Sequence, residues 1–338
     1  VEKGFVVKFL GDNYAHEEPY TTALEQMGIE VLYGETYRTG IWDWLEKHGK
    51  DIAFAYLNRP HIAVKYIDFI KEHTDIKVLY FGHDLHFLRE TREYEITGDE
   101  EIKKSADYWR SVELSLMKKV DMAYYPSYVE RDLIHDINPK IHVKDIPLYV
   151  YESFKENLDE KFEEKEGLLF VGGFGHPPNG DAVIWFVQEI FPKIRESLKV
   201  NFYIVGSKVT DEIKALEQPG NGVVVKGFVS DEELEELYRK CRIVVVPLRY
   251  GAGIKGKVLE AMYNGAVVVT TSIGAEGIKD SEKALTVRDD AEEFAQAVVD
   301  LYGDPNRCRL ISGATQVYMR EHFSLDAVWN CVKDDFKR

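Results

Sequence analysis

A glycine-rich stretch between residues 244 and 262 has the residue types that bind a phosphate group. A run of valines, typical of a buried strand, leads into a turn with three glycines, Gly251, Gly253 and Gly256. Glycines let backbone N–H groups approach an anion closely, and the start of the helix that should follow adds partial positive charge. Lys255 and Lys257 supply full charges, and Glu260 lies one turn into that helix. The stretch is therefore interpreted as a cradle for a phosphate or diphosphate.

Other readings of the same stretch remain as alternatives. The pattern G-x-x-x-x-G-K ending at Lys257 would be a P-loop, but that loop needs Ser or Thr next, and Val258 stands there. The pattern G-x-G-x-x-G would be a dinucleotide-binding turn, with Glu276 as the ribose-binding acid. That turn has its glycines directly at the end of a strand, whereas here residues 248–250 separate the glycines from the strand. A tight turn with solvated lysines is the third alternative.

Composition limits the class of protein. A chain of 338 residues with 45% hydrophobic residues suggests two domains. The net charge of −16 argues against non-specific binding to nucleic acid or to anionic lipid. The cysteines, Cys241, Cys308 and Cys331, have no metal spacing and suit a reducing compartment. No apolar run reaches the ~20 residues of a membrane span. The start at Val1, without Met or a signal peptide, suggests a piece of a longer protein.

Strand and helix patterns alternate twice along the chain. Near-continuously apolar strands between helices predict parallel sheets covered on both faces. The fold class expected is α/β, with two tandem doubly wound Rossmann-like domains facing across a cleft. The expected division is an acceptor-side domain at 1–150, a linker at 151–166, a nucleotide-binding domain at 167–322, and a C-terminal helix at 323–338 that packs back on the first domain. Ligands of such sheets lie beyond the carboxyl ends of the strands, where the glycine turns are.

Several segments at these strand ends resemble one enzyme family. They are the block 171–186, the turn Gly206-Ser207-Lys208, the helix Lys257-Val-Leu-Glu-Ala-Met, the stretch 270–277 and, more loosely, His83 to Glu90 in the first half. Together they resemble the retaining nucleotide-sugar glycosyltransferases of the GT-B fold, and most closely family 4, or glycosyl transferases group 1. The resemblance is close from Gly167 to about His322.

The resemblance implies roles for particular residues. Glu260 would bind the ribose hydroxyls of the donor nucleotide, and His83 would face the transferred sugar. The base would lie near the loops at Gly206 and Gly227. The diphosphate would be held by lysines, an arginine and loop amides, namely Lys255, Lys257, Arg249, Gly173, Gly251, Gly253 and Ile254. Of these, His83, Lys255 and Lys257 are the predicted catalytic residues.

The sequence also departs from the family pattern. Many members carry a further glutamate that would fall at position 252, where this chain has Ala252. The amides of residues 252–254 are candidates to replace that contact with the sugar. The first loop of the second domain also lacks the usual basic residue and offers only His176 and Asn179. More of the charge neutralisation should then fall on the lysines and arginine named above, or on Lys208.

The function expected is transfer of a sugar from a nucleoside diphosphate sugar to a glycan or another hydroxyl acceptor, with retention, in bacterial surface polysaccharide or glycoconjugate synthesis. No metal or other cofactor is expected, since the chain has no Asp-x-Asp motif. The acceptor, glycan, protein-linked or lipid-linked, would be chosen by variable loops at 13–19 and 85–99. The location expected is cytoplasmic, with attachment at the inner membrane only through other domains. A sugar-nucleotide epimerase and a degenerate binding module are the alternatives.

Overall fold

The computed structural model describes residues 1–147, 149–154 and 161–337, in which helices and strands alternate. In chain order the elements are β1 Lys8–Leu10, α1 Tyr20–Gln26, β2 Glu30–Leu32, α2 Glu35–His48, β3 Phe54–Asn58, α3 Pro60–His73, β4 Lys77–Phe81, α4 His86–Thr97, α5 Glu100–Met117, β5 Met122–Tyr125, α6 Tyr128–Ile137, β6 Val143–Asp145, β7 Leu168–Val171, α7 Pro177–Trp185, α8 Phe191–Ser197, β8 Phe202–Val205, α9 Asp211–Lys214, β9 Val223–Gly227, α10 Asp231–Lys240, β10 Ile243–Val246, α11 Gly256–Tyr263, β11 Val267–Thr270, α12 Ser272–Ala275, β12 Leu285–Val287, α13 Ala291–Tyr302, α14 Pro305–Phe323 and α15 Leu325–Val332. A 3-10 turn, Gly49–Asp51, follows α2, and a π-helical turn, Phe186–Ile190, joins α7 to α8. None of the helices in this part of the chain is long and apolar enough to cross a membrane.

A six-stranded parallel sheet in the order β12-β11-β10-β7-β8-β9 organises the second half of the chain. In the register of β10 and β11, Ile243 is opposite Val267 and Val246 is opposite Thr270. All residues of both strands are buried, because helices cover both faces of the sheet. Such strands appear in the sequence as unbroken apolar runs. The predicted α/β class with parallel sheets is confirmed.

The chain divides into two compact units, residues 1–82 with 112–123, and residues 83–111 with 124–337. In the first unit, β1 pairs with β2 and β3 with β4, both in parallel. The N–H group of Val78 in β4 donates to the Asp121 carboxylate at 2.7 Å, and the N–H group of Asp121 donates to the carbonyl of Val78 at 2.9 Å. These bonds align β4 with the start of β5.

The four-part domain division expected from the sequence stays a prediction. Residues 155–160 of the expected linker and Arg338 of the expected C-terminal helix lie outside the described residues. Beyond α15, Asp335 accepts hydrogen bonds from the Tyr124 hydroxyl at 2.8 Å and from Lys144 at 2.7 Å. The segment after α15 is therefore hydrogen-bonded to residues within the range 1–150, which was expected to be the first domain.

Two helices differ from the sequence-based expectation. The sequence pattern after the glycine turn at 172–175 predicts a helix that begins at Gly180 or Asp181. In the structure this helix, α7, begins at Pro177, because proline fits the first turn of a helix, where its missing N–H group is not needed. The segment 85–99, expected to be a variable loop, contains α4, which ends where Gly98 adopts a left-handed conformation with φ of +68°. Only Phe87 of α4 is buried, so its apolar pattern is weak.

Parallel pairing brings four loops to one edge of the six-stranded sheet. The carboxyl ends of β7, β8, β10 and β11 all point to this edge, and the turns after them begin at residues 172, 206, 247 and 271. This is the edge at which open parallel sheets bind ligands. The sheet therefore positions the glycine turns that the sequence marks as a candidate site.

Candidate functional site

The loop between β10 and α11 has a backbone that only glycine adopts readily. Gly251 has φ of +142° and Gly253 has φ of +70°. A Cβ atom on Gly253 would lie 3.4 Å from both the His83 carbonyl oxygen and Oε2 of Glu130. Helix α11 begins directly after this loop, at Gly256. The loop thus presents backbone amides beside a helix N-terminus, as the sequence predicts.

Both predicted lysines have hydrogen-bond partners in the protein, Lys255 at the end of this loop and Lys257 in the first turn of α11. Lys257 donates to the side-chain oxygen of Asn179 at 2.6 Å, and burial together with repulsion from Lys255 lowers its pKa to about 8. Lys255 is 8% exposed, donates to the carbonyl of Gly253, and has its pKa lowered by burial. An anion placed beside them would add negative charge and favour the protonated forms.

The turns after β7 and β8 approach each other closely, and this requires glycine at position 206. A Cβ atom on Gly206 would lie 1.9 Å from the carbonyl oxygen of Gly172, a contact that no side chain can make. A Cβ atom on Gly172 would lie 3.1 Å from Cε of Lys257. The amide of Asn179 also donates to the carbonyl of Gly173 at 2.7 Å. The structure therefore brings Gly173 and Gly206 together with Lys257.

Glu260 lies in α11 beside a pair of tyrosines. It is half-buried, and its pKa is raised by burial and by the nearby Asp231. Burial and the charge of Glu260 raise the pKa of Tyr149, whose hydroxyl would lie 2.2 Å from a Cβ atom on Gly256. The tyrosine ring therefore lies against the start of α11, close enough to Glu260 for its charge to act on the hydroxyl.

Arg249 and Ile254, also predicted, are placed differently from the lysines. Arg249 donates through Nε to Asp181 at 2.8 Å and through Nη2 to the same carboxylate. Its charge is compensated, so it is not brought to the lysines as a free cation. Ile254 is 9% exposed and packs against the turn of Gly277, where a Cβ atom would lie 2.6 Å from its Cγ1.

The turn that contains His83 borders the same loop. His83 has φ of +69°, an uncommon conformation for a residue other than glycine and one that often marks functional positions. Next to it, Asp84 forms an ion pair with Arg89. His176, from the turn after β7, has its pKa lowered to about 4 by burial and by the charges of Lys257 and Arg89. It is therefore neutral at physiological pH.

Three further residues surround the loop and were not found from the sequence. Arg92 of α4 donates to the carbonyl of Gly251 at 2.6 Å and lies 2.7 Å from Oε2 of Glu276. Glu276 also lies 3.9 Å from the ammonium group of Lys255. Glu130 is completely buried, and its Oε1 accepts the N–H group of Leu85 at 2.7 Å. From the sequence, Glu276 is an alternative ribose-binding acid of a dinucleotide site and part of the stretch 270–277, but its contacts with Arg92 and Lys255 are not predicted.

A sequence signal for Glu130 does exist, but it points to another partner. Ser127, three positions earlier, starts a capping-box pattern, in which the glutamate would accept the N–H group of the serine. Ser127 does cap α6, accepting the N–H group of Val129 at 3.1 Å. The carboxyl group of Glu130 instead binds Leu85. The tertiary contact of Glu130 with Leu85 thus replaces the capping-box bond that the local sequence predicts.

Two other features of the described residues do not compete with this site. The described residues contain no group of three or more His, Cys, Asp or Glu side chains that could hold a metal ion. A cavity of about 940 Å³ is lined by Gly167, Asn201 and Gly222, which directly precede β7, β8 and β9. It therefore opens at the amino edge of the sheet, opposite the edge where parallel sheets bind ligands.

Solved structures with similar folds are GT-B glycosyltransferases. Sucrose-phosphate synthase from Thermosynechococcus elongatus aligns with a TM-score of 0.71 at 16% identity, over 99% of this chain and 89% of that one. HepE from Anabaena in complex with UDP-glucose aligns at 0.67 and 13% identity, over 95% and 89%. TarM from S. aureus, solved with UDP, α-GlcNAc-glycerol and fondaparinux, aligns at 0.66 and 15%, over 88% and 58%. At these identities the likeness establishes the fold.

The sequence of the second half supports the same class. Residues 165–304 match the family model of glycosyl transferases group 1. A protein of Klebsiella pneumoniae, named as an uncharacterized 44.6 kDa protein in the cps region, is 28% identical over 172 residues. The match covers 49% of this chain and 44% of that protein, so the chain spans less than half the length of this relative.

Proposed function

We propose that this chain is a retaining glycosyltransferase that moves a sugar from a nucleoside diphosphate sugar to a hydroxyl acceptor. The observation that carries the proposal is the pair formed by the buried Lys255 and the half-buried Lys257, beside the loop at residues 251–254 and the start of α11. Two ammonium groups, a helix N-terminus and close-packed glycine amides are suited to a diphosphate. The match of residues 165–304 to glycosyl transferases group 1 supports the same conclusion.

The diphosphate cradle would act on the leaving group. When the bond from the sugar to the diphosphate breaks, negative charge develops on the phosphate oxygens and positive charge on the sugar ring. Donors already in place stabilise that charge, and one such donor is typically worth about 3 kcal/mol. Because the hydrogen-bond partner of the half-buried Lys257 is the neutral Asn179, this bond does not compensate the charge of the lysine. Binding of the nucleotide would therefore stabilise the protonated form of each lysine.

Glu260 and His83 would orient the rest of the donor. Glu260, half-buried in α11, would accept hydrogen bonds from the ribose hydroxyls. His83, on the turn that borders Gly253, would face the transferred sugar. We assign no protein base, since the departing phosphate can accept the proton of the acceptor hydroxyl. A role in surface polysaccharide synthesis in the cytoplasm is the setting we propose, supported by the relative from a cps region.

A binding module without transfer activity is the second candidate. Two observations favour it: Ala252 stands where a carboxylate would contact the sugar, and the charge of Arg249 is compensated by Asp181. Product analysis separates the candidates. A transferase would glycosylate the acceptor, an epimerase would isomerise the nucleotide sugar, and a binding module would leave it unchanged.

The proposal is tested by a thermal-shift screen against UDP, GDP, ADP and dTDP sugars. A ligand at 100 times its Kd adds about 2.7 kcal/mol of stability, so at least one should raise the melting temperature. Glu260→Ala should abolish that rise, whereas Glu293→Ala, at an exposed position of α13, should leave it intact. A flat response of the wild-type protein to the whole panel would count against nucleotide-sugar binding.

A further inference from the structure

Glu130 is a buried carboxyl group whose bonding is incomplete. Its side chain is 0% exposed, and Oε1 accepts the N–H group of Leu85 at 2.7 Å. Oε2 is buried and has no hydrogen-bond partner among the described residues. A buried polar atom without a partner is uncommon in a folded protein and calls for a physical reason.

The position of Glu130 links two functional segments. Oε2 lies 3.4 Å from where a Cβ atom on Gly253 would stand, so the carboxyl group is in contact with the phosphate-binding loop. Through Oε1 it also holds the first residue after the His83–Asp84 turn. The same carboxyl group therefore bridges the turn that carries His83 and the loop that carries Lys255.

Several charged groups face this carboxyl group. Asp84 from the turn and Glu276 from the segment after α12 repel a negative charge on it, and Lys255 from the loop attracts one. Each of these has another charged neighbour, since Asp84 pairs with Arg89 and Glu276 with Arg92. Burial has the largest effect and raises the pKa of Glu130 well above its usual value.

We infer that Glu130 is a positioning residue, which in its uncharged carboxylic-acid form joins the turn at 83–85 to the glycine loop at 251–256 and keeps both arranged for the donor. This inference deepens the proposed function and rests on it. An ionised Glu130 would bring a negative charge against the loop that receives the diphosphate. As an acid, it adds no second carboxylate beside Lys255, which already has Glu276 at 3.9 Å, and so leaves more of the positive charge of the lysine to the ligand.

The variants Glu130→Gln and Glu130→Ala test this role. Glutamine keeps the shape, the acceptor oxygen for Leu85 and the neutral charge, while alanine removes the bridge. We expect Glu130→Gln to bind the nucleoside diphosphate selected by the screen within threefold of the wild-type Kd, and Glu130→Ala to bind it at least tenfold more weakly. Asp335→Asn, which alters a buried carboxylate bound to Tyr124, is the control and should leave the Kd unchanged.

The pH dependence of binding separates a neutral acid from a merely structural side chain. As the pH is raised from 7 over the range in which both proteins stay folded, the wild type and Glu130→Gln both lose affinity because the lysines lose protons. Only the wild type also has a carboxyl group at position 130 that can ionise, so we expect its Kd to rise at least threefold more than that of Glu130→Gln. Equal rises in the two proteins would overturn the inference, as would a glutamine variant as weak as the alanine variant.

Amide hydrogen exchange provides a readout that needs no nucleotide. Glu130→Ala should accelerate exchange of the amides at 251–254 and 83–85 at least tenfold relative to the amides of α11, and Glu130→Gln should not. Unchanged exchange in Glu130→Ala would overturn the inference even if no nucleotide binds. If the wild type binds none of the four nucleotides while the exchange result holds, the proposed function fails and the bridging role stands.

Discussion

Lys257 and Asn179 form a hydrogen bond of 2.6 Å between an ammonium group and a buried, neutral side chain. The amide end of the same asparagine donates to the carbonyl of Gly173 at 2.7 Å. These bonds hold Lys257 next to the turn after β7. Because Asn179 is neutral, it does not compensate the charge of the lysine. This pairing explains how a strongly acidic chain can hold a local site for an anion.

Replacing Asn179 with aspartate should weaken nucleotide binding. The new carboxylate would pair with Lys257, raise its pKa and lose the bond to Gly173. We expect the Kd of the nucleoside diphosphate to rise at least tenfold, or about 1.4 kcal/mol, in calorimetric titrations. Asn330→Asp is a matched control, because Asn330 accepts a bond from Lys333 at 2.9 Å on an exposed surface. Equal effects of the two substitutions would contradict the assignment of Lys257 to the diphosphate.

Lys257→Met should stabilise the ligand-free protein while abolishing nucleotide binding. A pKa lowered from 10.5 to about 8 means that the unfolded chain binds more protons than the folded one between these values. Below pH 8 the charged lysine therefore lowers the free energy of unfolding of the wild type by roughly 3 kcal/mol. The variant removes this cost but also loses the hydrogen bond to Asn179, which is worth about 1 kcal/mol. Urea unfolding at pH 7 should show a gain of about 2 kcal/mol.

The sign of the pH effect makes this prediction specific. The stability of the wild type should rise between pH 8 and pH 10.5, so the advantage of Lys257→Met should shrink over that range. Lys193→Met, at an exposed lysine paired with Glu292, should show no such gain. A loss of stability in Lys257→Met that is the same at every pH would contradict a buried, charged lysine.

Gly206→Ala should be far more damaging than the same substitution at Gly313. At Gly206 the new Cβ atom would lie 1.9 Å from the carbonyl oxygen of Gly172, and the backbone must move. At Gly313, in α14, nothing lies within 4 Å. We expect Gly313→Ala to gain about 0.5–1 kcal/mol from helix propensity, and Gly206→Ala to lose stability and nucleotide affinity together. Thermal unfolding with and without nucleotide measures both, and equal outcomes would rule out the close approach of the two turns.

Local pattern predicted the elements that carry the site. The valine runs of β10 and β11 and the glycines that end them were readable because buried parallel strands are apolar throughout and tight turns need glycine. α4 was not readable, since only Phe87 of its residues is buried and its remaining surface is charged or polar. Glu130 was missed because its sequence context is that of a helix cap, which the tertiary contact with Leu85 replaces.

The sequence by itself determined the α/β class, the glycine turns at the strand ends and the positions of both lysines, because these depend on residue type and short-range spacing. Only the tertiary structure decided what surrounds them: Lys257 with Asn179, Arg249 with Asp181, and Arg92 with Glu276. The reason is that burial and charge depend on residues far apart in the chain, and spacing along one segment does not encode their distances. Whether a lysine is solvated or poised for an anion is settled by those neighbours.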